Sequence, residues 1–413
     1  MVFIESESLQ RVADCIDFSQ PLVKIPPSQN CEVCVIVPVR NEAEHLAATL
    51  TALAEQIDLK GQRLNPTCYE IILLANNCTD NSVEIAHAFA LQHPDLALHV
   101  IEKTLPPAEA YIGRVRQILM DEAYCRLNSL ENRRGIIAST DGDSQVSPTW
   151  VAATQYEIAC GVDAVGGRIL AEANGRAALH PYARTCHLQV VGYRYLIAEL
   201  ESYLDPDPYD PFPRHYQYNG ASLAVTAEMY ALAGGLPAVR TPEDVAFCRS
   251  LMRVNARIRR SPLVRVVTSA RETGRTDVGM ANQLSEWAKM GRQKQAYLVE
   301  SAAAIETRLR ARHLLRIIWS NIFNGYPPSE KEIAVLANAL GVTTQWFVQE
   351  LAQPQTFGQL FERVELRQQE EGIWDSRWPN VEIRQVIHDL RSRLESLRLQ
   401  ARRLQVPLPG IKK

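Results

Sequence analysis

Between residues 33 and 170 short apolar runs alternate with amphipathic stretches, and this alternation limits the possible folds more than any other feature of the chain. VCVIVPV (33–39) is apolar throughout, as in a strand buried on both faces. EAEHLAATLTALAEQ (42–56) follows, with Leu46, Leu50, Leu53 and Ile57 on one helical stripe. Further strands are read at 69–75, 96–102, 135–140 and 163–170, and helices at 82–92, 113–127 and 148–159. The helix at 148–159 is expected to be capped by Ser147, with Pro148 in its first turn. Repeated strand–helix units predict an α/β fold with a doubly wound, mostly parallel sheet. Ligands of such sheets sit beyond the C-terminal ends of the strands.

Polar residues collect at that edge. The first strand runs into Pro38-Val-Arg40-Asn-Glu42, the second into Asn76-Asn-Cys-Thr-Asp80, and the fourth into Asp141-Gly-Asp143. No glycine-rich dinucleotide turn or phosphate-binding P-loop pattern follows the first strand. Two carboxylates two residues apart at a strand end point the same way and repel each other. A hard divalent cation, Mg²⁺ or Mn²⁺, relieves that repulsion and keeps positions open for phosphates and water. The competing reading is an acidic turn with a helix cap, since Asp, Gly and Ser are all common turn residues.

The ordered set Pro38-Val-Arg-Asn-Glu42, Asn76–Asp80, Asp141-Gly-Asp143 and Glu243-Asp244 resembles the family 2 glycosyltransferases of the GT-A fold, over about residues 33–275. The resemblance implies a nucleotide-sugar donor, a divalent cation at Asp141 and Asp143 bridging the donor diphosphate, and inversion by a carboxylate base. Position by position, Pro38, Arg40 and Glu42 match the nucleoside-pocket segment. Asn76 stands where many members carry a uracil-contacting Asp. An amide both donates and accepts where a carboxylate only accepts, so the base stays open. Asp80 either binds the nucleoside or caps the helix near Ser82. Gly113-Arg114-Val-Arg116 resembles the family's basic segment, with Arg114 toward the donor; a solvated helix face is the other reading. The resemblance makes Asp244 the base and Glu243 its neighbour that orients the acceptor or an arginine. Thr241-Pro242-Glu243-Asp244 also reads as a helix start, with Thr241 as cap. Asn219 and Gly220 match the acceptor-side strand. Arg271 and Arg275 match a loop that can offset charge on the leaving diphosphate. The Q-x-x-R-W pattern of processive members is absent.

A catalytically silent nucleotide-sugar-binding or interaction protein is the alternative from another class. A nucleotidyltransferase on a similar fold is a nearer alternative, although Pro38–Glu42 lacks the Gly-rich basic loop it would want. The balance of 44 Lys and Arg against 47 Asp and Glu leaves a net charge of −3, against a dedicated nucleic-acid binder. No apolar stretch approaches a membrane span, and Met1–Arg11 carries acids instead of a basic start and an apolar core, so a cytosolic chain is expected. The acceptor is a small-molecule or lipid-linked hydroxyl compound, with nothing to choose between them. Cys31-Glu-Val-Cys34 is the one C-x-x-C among nine cysteines. Read as the opening of a strand, it points its two thiols to opposite faces, so neither metal nor redox chemistry is expected of it.

The expected organisation is an N-terminal extension (1–30), a glycosyltransferase domain (31–300) and a helical region (301–413). Within the second, a long helix (177–204) carrying His180 and His187 on one face leads to a Pro-rich loop (205–218), whose His215 is a candidate for reaching the site. A strand at 219–225, a helix at 241–254 and a strand at 263–270 follow, and Trp287 is read as core. EKEIAVLANALGVTTQWFVQEL (330–351) has helix-turn-helix form, but TTQWFVQEL carries no basic residue, so a packed hairpin is expected. Ile383, Ile387, Leu390, Leu394, Leu397 and Leu404 space an apolar stripe along the last helix, which would serve self-association or packing onto the catalytic domain.

Overall fold

The computed structural model describes residues 21–172, 180–269, 280–293, 295–353 and 355–404. They fall in two compact units, one within Met1–Leu179 and Gln217–Gln283, the other within His180–Tyr216 and Leu284–Lys413.

The first unit is built on eight strands, β1 (Val33–Val39), β2 (Tyr69–Asn76), β3 (Leu98–Lys103), β4 (Ile136–Ser139), β5 (Ser144–Val146), β6 (Ala164–Ala171), β7 (Leu223–Thr226) and β8 (Ile258–Thr268). Their order across the sheet is β3-β2-β1-β4-β7-β6-β8-β5. The pairings β1–β2, β1–β4, β2–β3 and β6–β8 are parallel. β7 runs antiparallel between β4 and β6, and β5 antiparallel against β8. The expected α/β class with a mostly parallel sheet and a helical C-terminal region is what the chain adopts.

All seven β1 residues are buried because the sheet is covered on both faces. Val33, Val35, Val37 and Val39 enter a core with the helices Leu46–Ala54, Ser82–Gln92 and Trp150–Ala159. Cys34 and Ile36 enter the opposite core, with the helices Ile112–Ser129, Ala227–Leu232 and Glu243–Arg253. Side-chain alternation along one strand thus feeds two cores.

Local details differ from expectation in four places. β5 was not read from the sequence; it is three residues long and too short to carry a period. The helix after it starts at Trp150, and Ser147 does not cap it: Trp150 N–H bonds to the Ser147 carbonyl, while the Ser147 hydroxyl has no partner among the described residues. Thr241 does not cap the helix Glu243–Arg253, which starts after Pro242 with no side-chain cap bond. His180 is not on a helix face with His187; it precedes the helix Pro181–Leu204 and its Nδ1 accepts Tyr182 N–H at 3.3 Å.

The second unit is helical. The hairpin Glu330–Leu340 and Thr344–Leu351 turns at Gly341, whose φ of +70° is left-handed. Leu336, Leu340 and Phe347 bury with Leu315, Leu360 and Val364, so the hairpin is core-forming, as expected. The middle of the stripe on the last helix, Ile383–Leu404, packs within the unit: Val386, Leu390 and Leu394 bury with Leu200, Ile305 and Leu309. Trp287 is buried beside His187 and Tyr297, at ring separations of 6.3 and 5.7 Å. His215 is buried in this unit. No helix of the described residues is long and apolar enough to cross a membrane.

Candidate active site

The loops after β1 and β2 are tied together by side chains. Asn41 adopts φ of +56°, and its amide accepts Thr79 N–H at 2.7 Å and donates to the Thr79 hydroxyl at 3.2 Å. Glu42 N–H bonds the Ser82 hydroxyl at 2.8 Å. The Asp80 carboxylate accepts Ala43 N–H at 3.0 Å, Ser82 N–H at 3.1 Å and the Ser82 hydroxyl at 2.6 Å. Partial burial pushes the Asp80 carboxyl up, but these donors outweigh it and hold it below its usual range. Asp80 therefore joins two loops at the strand edge as well as ordering the start of the helix at Ser82. Asn76 closes β2, is buried, and its Oδ1 meets no hydrogen-bond partner among the described residues.

Asp141 and Asp143 lie in a tight turn between β4 and β5, closed by Ser144 N–H to the Asp141 carbonyl at 3.1 Å. Their proximity comes from the turn and not from strand alternation. Gly142 is required there because the turn presses on the end of β1. A Cβ at this position would meet Val39 Cγ2 at 3.0 Å, Glu42 Cγ at 3.2 Å and the Pro38 carbonyl at 3.3 Å. Thr49 donates to the Gly142 carbonyl at 3.0 Å. Asp143 accepts the Ser269 hydroxyl at 2.5 Å, which ties it to the end of β8.

The residue that joins this turn to the Glu243-Asp244 pair is Arg116. Its Nη2 donates to Asp141 Oδ1 at 2.6 Å and its Nη1 donates to Glu243 Oε1. Arg116 is 4% exposed. Burial lowers its pKa, but Asp141, Glu243 and Asp244 more than compensate and raise it. Asp141 is itself pushed up by burial, with Arg116 opposing and Asp143 and Asp244 adding. Glu243 is raised by burial, with Arg116 opposing and Asp244 adding. Three carboxylates thus share the field of Arg116, with Asp143 beside Asp141, and the surplus negative charge suits a divalent cation. Asp141 and Asp143 fit a cation that completes its shell with phosphate oxygens and water.

Asp244 is held from the other side. Its Oδ2 accepts Gly220 N–H and Asn219 Nδ2, each at 3.1 Å, and its Oδ1 accepts Val245 N–H at 2.8 Å. Both acids occupy the first turn of their helix, where the helix dipole favours them. Arg114 turns elsewhere, to Gln117 Oε1 at 2.8 Å and Glu109 at 3.6 Å. Arg40 donates to the Ala110 carbonyl at 3.2 Å. Arg271 and Arg275 lie outside the described residues.

Asp141, Glu243 and Asp244 therefore meet, with Asn219 and Gly220 beside them. Arg116, and not the expected Arg114, is the basic residue at their centre. The signal for it was present: Arg116 falls on the stripe of Val115, Leu119, Met120, Ala123 and Leu127, all buried. A charge on the apolar stripe of a helix needs a buried partner.

Residues 34–204 match the family model described as Glycosyl transferase family 2. That segment, less than half of the chain, is similar to glycosyl transferase family 2. It contains the D-x-D turn and Arg116, while Glu243 and Asp244 fall beyond it. The curated Glycosyltransferase AglE of Haloferax volcanii is 26% identical over 193 residues, 44% of this chain and 56% of the relative. The chain thus spans about half the length of the curated relative that it matches. Among solved structures, the mannosyltransferase PcManGT from Pyrobaculum calidifontis, in complex with GDP-Man and Mn²⁺, is 17% identical over 88% of each chain, with a TM-score of 0.39. S. aureus TarS 1–349 in complex with UDP-GlcNAc is 16% identical over 75% of this chain and 80% of that one, with a TM-score of 0.42.

Proposed function

We propose that the chain is an inverting glycosyltransferase that moves a sugar from a nucleotide-sugar donor to a hydroxyl acceptor. The observation that carries this reading is the bridge from Asp141 through Arg116 to Glu243, which sets a donor-side turn against a base-bearing helix start. The family 2 match over 34–204 supports it.

Asp141 and Asp143 would hold a divalent cation, Mg²⁺ or Mn²⁺, which when bound neutralises charge on the donor diphosphate. Pro38, Arg40, Glu42, Asn76 and Asp80 line the nucleoside side. Asn76 offers its buried Oδ1 as an acceptor. Asp244 takes the proton of the acceptor hydroxyl as that oxygen attacks the anomeric carbon. The bond from that carbon to the diphosphate oxygen breaks, and its electron pair leaves with the nucleoside diphosphate. Glu243 stays buried behind, fixing Arg116. Arg114 keeps a peripheral place near the donor, and Arg271 and Arg275 are candidates to offset charge on the leaving group. Asn219 and Gly220 position Asp244 on the acceptor side.

The first test is a thermal-shift panel of nucleoside diphosphates and nucleotide sugars, with and without chelator. Metal-dependent stabilisation by one nucleotide series is expected, since a ligand that binds the native state alone raises its stability. No shift with any of them would sink the reading and favour the silent interaction protein. Release of the free nucleoside diphosphate with a hydroxyl acceptor, and not of pyrophosphate, separates a glycosyltransferase from a nucleotidyltransferase.

A further inference from the structure

Cys31 lies two residues before β1, where its N–H closes a turn on the Ser28 carbonyl at 2.9 Å. Strand alternation does not reach it, so the C-x-x-C does not split across the sheet as the sequence suggested. The Cys31 and Cys34 sulfurs and a Glu70 carboxylate oxygen all lie within 4.8 Å of one another. Cys34 and Glu70 are register partners on β1 and β2, and the Cys34 thiol donates to Glu70 Oε1 at 2.9 Å. The three residues are 3%, 0% and 2% exposed. Arg126 forks onto Glu70, with Nε to Oε1 at 2.7 Å and Nη2 to Oε2 at 2.6 Å. From β3, His99 Nε2 stands 3.3 Å from Glu70 Oε2.

A buried cysteine is ordinarily a small hydrophobe, and that accounts for each of these singly. It does not account for two sulfurs converging on a carboxylate that already has its guanidinium, with an imidazole beside it. We propose that Cys31, Cys34 and Glu70 bind a zinc ion, with His99, which stands against Glu70 but outside this trio, turning in as the fourth donor. Zinc–sulfur bonds of about 2.3 Å and zinc–oxygen or zinc–nitrogen bonds of about 2.1 Å set tetrahedral ligand atoms roughly 3.3–3.8 Å apart, inside the span of this cluster. Binding releases the two thiol protons to solvent, and the two thiolates then match the charge of the ion. Glu70 remains matched by Arg126. The filled site is neutral, which a buried site requires. Thiolate donors select zinc over magnesium or manganese, so the site differs in kind from the Asp141–Asp143 pair.

Its place in the fold gives it a structural role. Cys34, Glu70 and His99 are each the second residue of their strands, at the edge opposite the D-x-D turn. The ion would fasten the starts of three parallel strands, with Arg126 linking them to the helix Ile112–Ser129.

The test is elemental analysis of the full chain purified with reductant and without chelator, followed by re-addition of Zn²⁺ to chelator-stripped protein. About one zinc per chain is expected in the wild type and in D141N, and less than about a tenth of that in C31S and C34S. Stripped wild type should melt lower and recover with Zn²⁺ but not with Mn²⁺. Zinc absent from the wild type and not taken up on addition overturns the proposal, as does zinc retained by both serine variants. If the serine variants fail to fold, the wild-type stripping and re-addition decides alone. Because D141N leaves the zinc in place, the outcome is independent of the transferase reading.

Discussion

The Asp244 carboxylate accepts the backbone N–H of Gly220 at 3.1 Å. A backbone donor fixes the position of an acid more firmly than another side chain would, because no rotamer change can withdraw it. The bond also joins the start of one helix to the turn that opens β7, so Asp244 is placed by the sheet. If it is the base, D244N should keep this bond, since an amide oxygen still accepts, while losing proton uptake. Transfer should fall by about 10²–10⁴-fold, the usual contribution of a positioned base. Donor affinity by calorimetry should stay within about threefold of wild type, a change below the ~1.4 kcal/mol that marks a tenfold effect. Normal transfer by D244N removes Asp244 from the mechanism.

Gly220 has a second constraint. A Cβ there would lie 2.3 Å from Arg116 Nη1 and 2.4 Å from its Cζ. A flexible side chain would move aside, but this guanidinium is held by Asp141 and Glu243. G220A should therefore break one of those bonds or strain the turn, costing about 1–3 kcal/mol as an overpacking substitution. Urea unfolding measures the cost. An unchanged midpoint would mean that Arg116 is free to move.

Arg116 is itself open to a double-mutant cycle. R116A leaves Glu243 buried without its cation, a loss of about 3–5 kcal/mol by analogy with other broken buried pairs. E243Q removes the orphaned charge, so R116A/E243Q should be more stable than R116A alone. Denaturant midpoints of the four proteins check this. Strict additivity would show that the bridge carries no coupling. R116K should not rescue, because a lysine ammonium cannot reach both acids with a planar fork.

The alternation of β1, β2 and β4 with their helices was legible because these strands are apolar over most of their length and the helices keep their stripes. The mixed part of the sheet was less so. β7 and β5 are four and three residues long, and nothing in four residues states whether a strand runs parallel or antiparallel. Asp141, Asp143, Glu243 and Asp244 were visible as acids in turn or cap positions. What brings three of them together is Arg116, and a sequence shows no contact between residues 116 and 243. The register of β1 on β2 was equally invisible, and it is what sets Cys34 beside Glu70. Arg114 drew notice because it opens a helix; its partners Glu109 and Gln117 show how an arginine in the first turn can satisfy itself locally.

Away from the site, Asp121 gives the first unit a pH dependence of defined sign. Tyr230 donates to Asp121 Oδ1 at 2.6 Å, and burial pushes the Asp121 carboxyl up from 3.8 to about 6, with the Tyr230 hydroxyl and Arg114 opposing. A carboxyl whose folded pKa is raised is stabilising in its protonated form. Its favourable contribution is complete below the unfolded value and is lost as pH rises through about 6. D121N cannot ionise, so its stability relative to wild type should rise between pH 4 and 7, by up to about 3 kcal/mol for a shift of this size. Guanidinium midpoints of the two proteins across that range, taken as a difference, cancel the titration of every other group. A difference that stays level with pH would mean that the Asp121 carboxyl titrates alike in the folded and unfolded chain, and that solvent reaches it despite Tyr230.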